Sequence, residues 1–136
     1  GSCSAVVASA GDGRGSCLTL VYDVALSGSY SGYWSRLPGL NLEGYRVLSF
    51  WVKGEAGGER FSVELGDGRD RKKIQVGRVL PQGVSTRWQR VAFSLSNFFP
   101  ENGWQRMNGN IAIVFEHSQG MPYKGTVYLR DVRFEK

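Results

Sequence analysis

Tyr30, Tyr33 and Trp34 sit together in a stretch of glycine and serine with little apolar company. An aromatic ring among polar neighbours offers a flat apolar face beside hydrogen-bonding groups. The C–H face of a sugar ring is a ligand that suits it. The competing reading of Tyr33 and Trp34 is a ring that covers a loop or a sheet edge. Trp51 lies between Phe50 and Val52 but on the other parity, which favours such a cover residue. Trp88 precedes an apolar alternating run and is expected in the core, and Trp104 lies in a loop.

Catalytic chemistry finds less support. There is no Gly-x-Ser-x-Gly, no His-Glu-x-x-His, no phosphate loop and no dinucleotide fingerprint. His117 is the one histidine, so a metal site of His and Cys ligands lacks members. A triad on His117 would need an orienting carboxylate, yet neighbouring Glu116 points to the opposite face of a continuing strand. Twelve acids are present. Whether two of them flank a glycosidic bond depends on their separation in space, which spacing along the chain does not give. The expectation is a protein that is not an enzyme.

The elements that must position these residues alternate with period two. Leu48, Phe50 and Val52 oppose Ser49, Trp51 and Lys53. Phe61, Val63 and Leu65 alternate with Ser62 and Glu64, and Ile111, Ile113 and Phe115 with Ala112, Val114 and Glu116. Ile74 and Val76, and Val91, Phe93 and Leu95, repeat the pattern. This marks half-buried strands, with the phenylalanines mostly on inward positions. Gly/Asp clusters at 11–15, 54–58, 66–68 and 118–120 punctuate them as turns. Strands are expected near 4–9, 17–25, 33–36, 46–53, 60–66, 72–79, 88–95, 110–117 and 125–134. One helical turn is expected in 100–108. Val127 and Leu129 share one parity while Val132 and Phe134 share the other, so a β-bulge belongs near Arg130-Asp131. Nine short strands without a long helix make an all-β sandwich or barrel.

The 136 residues fit one domain, 1–136, with 41% hydrophobic and 21% charged residues. Gly1-Ser2 resembles a scar left by tag removal, so the domain is expected to come from a larger protein, as a monomer attached to other domains. No apolar stretch approaches the roughly 20 residues that span a bilayer, and membrane insertion is not expected. The net charge of +5 favours acidic partners. Arg69, Arg71, Lys72 and Lys73, broken by Asp70, form the densest basic run. A solvated loop explains it, and no nucleic-acid motif accompanies it. Cys3 and Cys17 flank the Gly11-Asp12-Gly13 turn, which suggests a cross-strand disulfide and an oxidising compartment. In the alternative, Cys3 is the lipidated first residue of a bacterial lipoprotein.

Leu48-Ser49-Phe50-Trp51-Val52-Lys53-Gly54 resembles the L-x-F-W-V-K-G strand of bacterial carbohydrate-binding modules with a galactose-binding-like jelly-roll fold. Gly83 to Val91, followed by Ser94-Leu95-Ser96, is similar to their G-I-T-T-x-W-Q-x-V…P-L-S element. Residues 111–116 and 125–134 are similar to their last two strands. The likeness runs from Leu18 to Phe134 and is strongest for family 11 modules and the related domain of complex I intermediate-associated 30-kDa proteins. It implies a jelly-roll β-sandwich, secreted or on a bacterial cell surface, that binds an oligosaccharide or polysaccharide on the concave face of one sheet. On parity, the candidate binding residues are Tyr33, Trp34, Glu64, Arg71, Gln75, Glu116 and His117. Aromatics would stack on sugar rings, polar groups would bind hydroxyls, and Arg71 would engage a carboxylate on an acidic sugar. Relatives usually end in I-D-D-I-x-F, whose first Asp helps to hold a structural Ca²⁺. Arg130 stands at that position here. A guanidinium removes an oxygen ligand and adds positive charge, so no cofactor is expected; Asp131, with Asp23, would contribute if a calcium site persisted. The alternative function on the same fold is a protein-interaction or adhesion module of a cell-surface protein.

Overall fold

A strand with apolar residues at every second position has one face that must leave water, and two such sheets satisfy this by covering each other. The computed structural model describes residues 1–9, 16–40, 42–66, 71–98 and 107–136. It has nine strands: β1 (Ser2–Ser9), β2 (Ser16–Asp23), β3 (Tyr30–Leu40), β4 (Val47–Gly54), β5 (Ser62–Gly66), β6 (Arg71–Gln75), β7 (Gln89–Ser94), β8 (Met107–Glu116) and β9 (Lys124–Glu135). They form a five-stranded sheet ordered β1-β2-β9-β4-β7 and a four-stranded sheet ordered β3-β8-β5-β6. All pairings among the described residues are antiparallel. The only helices among the described residues are single 3-10 turns at Val76–Arg78, Leu95–Asn97 and His117–Gln119.

The inward parity of each strand supplies the core. Leu20 and Tyr22 of β2, Leu48, Phe50 and Val52 of β4, Val91 and Phe93 of β7, and Val127 and Leu129 of β9 line the inner side of the five-stranded sheet. Val63, Leu65, Ile74, Ile113 and Phe115 answer from the other sheet. Rings join the layers. Tyr22 of β2 stacks on Phe115 of β8 with centroids 4.0 Å apart. Phe115 leans on Phe61 at 6.0 Å, Phe61 on Phe50 at 6.2 Å, and Phe50 on Phe93 at 6.3 Å. Each buried Phe contributes about 1.5–3 kcal/mol by leaving water.

Every expected strand has a counterpart. β3 starts earlier and ends later than its Gly/Ser content suggested, because its ladder with β8 overrides weak local propensity. Its register shifts between Leu37 and Leu40, at Pro38, on an edge strand where a missing N–H is tolerated. The expected bulge in β9 is present: Ser49 faces Arg133 and Trp51 faces Arg130, so two residue steps on β4 match three on β9. Asp131 adopts φ 52° there. Arg71 to Lys73 belong to β6 and are exposed strand residues rather than a loop. Of the 100–108 segment, Met107 and Asn108 belong to β8. The rest of it lies outside the described residues, as do Trp104, Arg69, Asp70 and the Gly11 turn.

A glycine in the Leu48–Gly54 motif has a local reason. A Cβ on Gly54 would collide with the carboxylate of Glu59, which is 1% exposed and accepts a hydrogen bond from the Ala56 N–H at 2.9 Å. The chain leaving β4 thus folds over an acid whose space a missing side chain provides.

The disulfide expectation is overturned. The β1–β2 ladder puts Cys3 opposite Tyr22 and Cys17 opposite Ala8. The hairpin is centred between residues 12 and 13, whereas two paired cysteines at 3 and 17 would centre it on residue 10. Cys3 packs against the core on the inner side and Cys17 has the opposite parity, so the thiols lie on different faces, about five residue steps of ~3.4 Å apart. Both are free. Thiol titration of the unreduced, unfolded protein is expected to count two, and in the native state Cys3 should alkylate slowly, because burial pushes its thiol pKa up; a count of zero would contradict this register.

Tyr22 gives a second prediction. Burial, and then the charge of Glu59, push its hydroxyl up to about 12, while its O–H donates to the Pro122 carbonyl at 3.1 Å. A folded-state pKa above the unfolded one stabilises below the unfolded value, near 10, and that stability is lost as pH rises toward 12. Chemical denaturation should therefore show stability falling between about pH 10 and 12, with a shallower fall for Tyr22→Phe. Identical slopes would contradict the assignment.

Candidate functional site

The outward parity of the four-stranded sheet gathers the polar residues into rows. Trp34 of β3 faces Ala112 of β8, which faces Glu64 of β5, which faces Lys73 of β6. The next row runs Gly32, Val114, Ser62, Gln75. Tyr30 faces Glu116, and Arg36 faces Asn110. Arg71 pairs with Gly66 at the far end of β6. The floor is small: Ala112 is 1% exposed, Ser62 1% and Val114 5%. The Trp34 indole lies over Gly32, its Cη2 3.2 Å from where a Cβ would stand. A Cβ at 32 would collide with the Ile113 carbonyl oxygen of β8 as well as crowd that ring. Trp34 itself remains 47% exposed. Across the floor, Lys73 Nζ reaches Glu116 Oε1 at 2.8 Å, and Gln119 donates to Ser62 Oγ at 2.7 Å.

This face can stack one apolar ring surface and offer carboxylates, a carboxamide and cations to hydroxyls. Trp34 and Glu64 stand two strand spacings apart, roughly 9–10 Å, which leaves room for a ring between them. Glu64 lies level with Ala112, four residues along the sheet from Glu116, and Glu116 is engaged by Lys73.

Of the seven expected residues, Trp34, Glu64, Arg71, Gln75 and Glu116 share this face. Two do not. Tyr33 faces Ile113 and packs against the core, because one residue along β3 reverses the side. His117 starts the 3-10 turn after β8; its Nδ1 lies 2.9 Å from the Val24 carbonyl and its ring stacks on Tyr123 at 4.2 Å, which pins the turn. Tyr30, named among the aromatics of the Gly/Ser-rich stretch but not among the candidate binding residues, lies on this face too, as do Arg36, Lys73 and Asn110. The parity of Trp34, carried along β3, was the signal for Tyr30 and Arg36.

The outer face of the five-stranded sheet holds a second set of rings. Trp51 lies between Arg130 of β9 and Arg90 of β7. The Arg130 guanidinium, 5% exposed as a residue, sits 4.2 Å from the Trp88 ring and 5.9 Å from the Trp51 ring. Lys53 Nζ lies 5.2 Å from both Trp88 and Tyr128. Trp88, expected in the core from the sequence, is instead half-buried on this outer face. The Tyr128 hydroxyl donates to Glu55, which together with partial burial raises its pKa. Arg90 pairs with Glu135, whose carboxyl is held below its usual range chiefly by a hydrogen bond from Ser49 and further by Arg90. Asp131 and Asp23 cannot share a cation: Asp23 pairs with Lys124, seven residues along β9 from Asp131, or about 23 Å. Asp23 instead accepts from the Ala25 N–H and lies 3.7 Å from Lys124 Nζ. Among the described residues, no group of three or more His, Cys, Asp and Glu side chains is gathered as for a metal.

The profile of the family described as Carbohydrate binding domain 30 matches residues 8–136. Solved structures with the same fold include a family 30 carbohydrate-binding module, at TM-score 0.71 and 17% identity, covering 97% of this chain and 73% of the other. A family 11 module from Clostridium thermocellum, in complex with a β-1,3-1,4-mixed-linked tetrasaccharide, superposes at TM-score 0.70 and 12% identity, covering 98% and 82%. A family 61 module bound to β-1,4-galactotriose superposes at 0.57 and 11% identity, covering 99% and 87%. Among curated proteins, none matches.

Arg130 is a packed residue, stacked between rings where its charge is largely out of water. Arg130→Ala is expected to lower stability by about 1–3 kcal/mol in chemical denaturation, while glycan affinity stays within twofold of wild type. An unchanged midpoint would show that the stack contributes nothing.

Proposed function

Since the chain belongs to the carbohydrate binding domain 30 family, a family of non-catalytic binding modules, we propose that its glycan lies on the outer face of the four-stranded sheet. One observation carries the proposal: Trp34 stands half-exposed in one row with Glu64 and Lys73, above a floor of Gly32, Ala112, Val114 and Ser62. The indole stacks on the C–H face of a sugar ring. Glu64 and Gln75 bind its hydroxyls, with Asn110 and Arg36 continuing the row toward the far end. Tyr30 offers a second ring beyond Gly32, and it is 66% exposed. Arg71 reaches the ligand from the β6 edge. The aromatics are spaced among polar groups, as a glycan groove requires and an apolar protein-docking patch does not. The domain works outside the cell, as a monomer tethered to other domains of a bacterial protein, holding them to a polysaccharide. No helix among the described residues is long and apolar enough to cross a membrane.

Trp34→Ala tests the face directly. Removing a stacking anchor of this kind costs about 2 kcal/mol or more, or roughly thirtyfold in affinity. Calorimetric titration with mixed-linkage glucan and galactan oligosaccharides should show that loss, with the melting temperature unchanged. Trp51→Ala should leave affinity as it was. Full affinity in Trp34→Ala, or a loss confined to Trp51→Ala, would move the site to the other sheet.

A further inference from the structure

The edge strand β6 carries a feature that neutral sugars do not require. A notch of about 390 Å³ opens along it, lined by Lys72, Lys73, Ile74, Gln75, Gly77 and Arg78. That volume lies within the roughly 300–1,000 Å³ of small-ligand clefts. Among the described residues that line it, three are cations and none is an acid. A fourth cation stands beside one lining residue: Arg60 Nη1 lies 3.7 Å from where a Gly77 Cβ would stand. Among the described residues, two carboxylates of the sheet face meet Lys73, Glu116 by an ion pair and Glu64 across the ladder of β5 with β6. Among the described residues, neither Lys72 nor Arg78 makes an ion pair.

Like charges gathered around a concavity repel one another, and an anion placed among them removes that cost. Lys on an exposed edge strand also guards against edge-to-edge pairing. That role needs one or two lysines along the strand. It does not account for Arg78, which follows β6 in the 3-10 turn, or for Arg60, which arrives from the chain before β5. Lys73 and Gln75 belong both to the notch and to the outward parity of the sheet, while Lys72 shares the parity of Ile74, so the notch wraps round the free edge of β6. The notch therefore continues the row that begins at Trp34.

We propose that this notch is a subsite for an anionic sugar, a residue bearing a carboxylate or a sulfate ester, so that the domain selects acidic polysaccharides. The inference rests on the glycan face described above. The chain of the glycan crosses from Trp34 toward β6, and its charged substituent enters the notch. There Lys72 and Arg78 meet it, the guanidinium offering two parallel N–H donors to two oxygens. Lys73 exchanges part of its contact with Glu116 for the anion.

The test is calorimetric titration at low ionic strength with four probes: a galacturonate hexasaccharide, a sulfated galactose hexasaccharide, the neutral galactose hexasaccharide and polyglutamate. At least one anionic hexasaccharide should bind about tenfold more tightly than the neutral one, as charge-assisted hydrogen bonds allow. Which of the two does so identifies carboxylate or sulfate. The double variant Lys72→Gln/Arg78→Gln should bring that affinity down to the neutral level while leaving neutral binding and the melting temperature as they are. Equal affinity for neutral and anionic hexasaccharides, unchanged in the double variant, would overturn the subsite and leave the Trp34 face standing. Polyglutamate bound as tightly as the preferred anionic hexasaccharide would overturn it as well, since charge alone would then suffice. If no hexasaccharide binds, the subsite fails; the glycan face fails with it only if mixed-linkage glucan oligosaccharides do not bind either.

Discussion

The chain of rings that joins the two sheets is the contact on which the rest of the molecule depends. Tyr22 stacks on Phe115 at 4.0 Å, and Phe115, Phe61, Phe50 and Phe93 continue the contact across the interior. These rings come from β2, β8, the entry to β5, β4 and β7, so both sheets are tied through one apolar seam. Once they point inward, period two fixes every other side chain outward. Trp34, Glu64, Lys73 and Gln75 meet on one surface because Phe115, Val63 and Ile74 are committed to the opposite one.

The two outer faces then acquire different chemistry from the same rule. On the five-stranded sheet, Trp51, Trp88 and Tyr128 are occupied by Arg130 and Lys53, and Arg130 is almost fully buried in the stack. Those rings spend their faces on the protein's own cations. On the four-stranded sheet, Trp34 has its ring over a glycine and its outer side in solvent. An aromatic residue that no cation covers is the one available to a ligand. On the proposed glycan face this leaves Trp34 with an open ring, while Trp51 and Trp88 are engaged by Arg130.

Most of the fold was legible because it is periodic. The strands β4 to β9 and the bulge at Asp131 follow from where parity holds and where it breaks, whereas β3 owes its full length to its ladder with β8. What was lost depends on single-residue register. Tyr33 and Trp34 looked equivalent in a Gly/Ser-rich stretch, and only the pairing of Tyr33 with Ile113 separates core from surface. The cysteines were placed by their symmetry about a turn, but the hairpin is centred about two and a half residues further on, which sends the thiols to opposite faces. Trp88 was assigned to the core from its neighbours. Its position on the outer face depends on Arg130, forty-two residues away along the chain, and no local pattern carries that. The basic run looked like a solvated loop, and its role as an edge strand lining a notch needed the third dimension.

The central claim is that the four-stranded sheet, and not its partner, receives the glycan. Amide and indole chemical shifts followed by nuclear magnetic resonance during titration with a bound oligosaccharide test it most directly. The largest changes should fall on the Trp34 indole and on the amides of Gly32, Ala112, Glu64 and Gln75, with the Trp51 and Trp88 indoles unmoved. Shifts centred on Trp51, Trp88 and Tyr128, with Trp34 silent, would contradict the account.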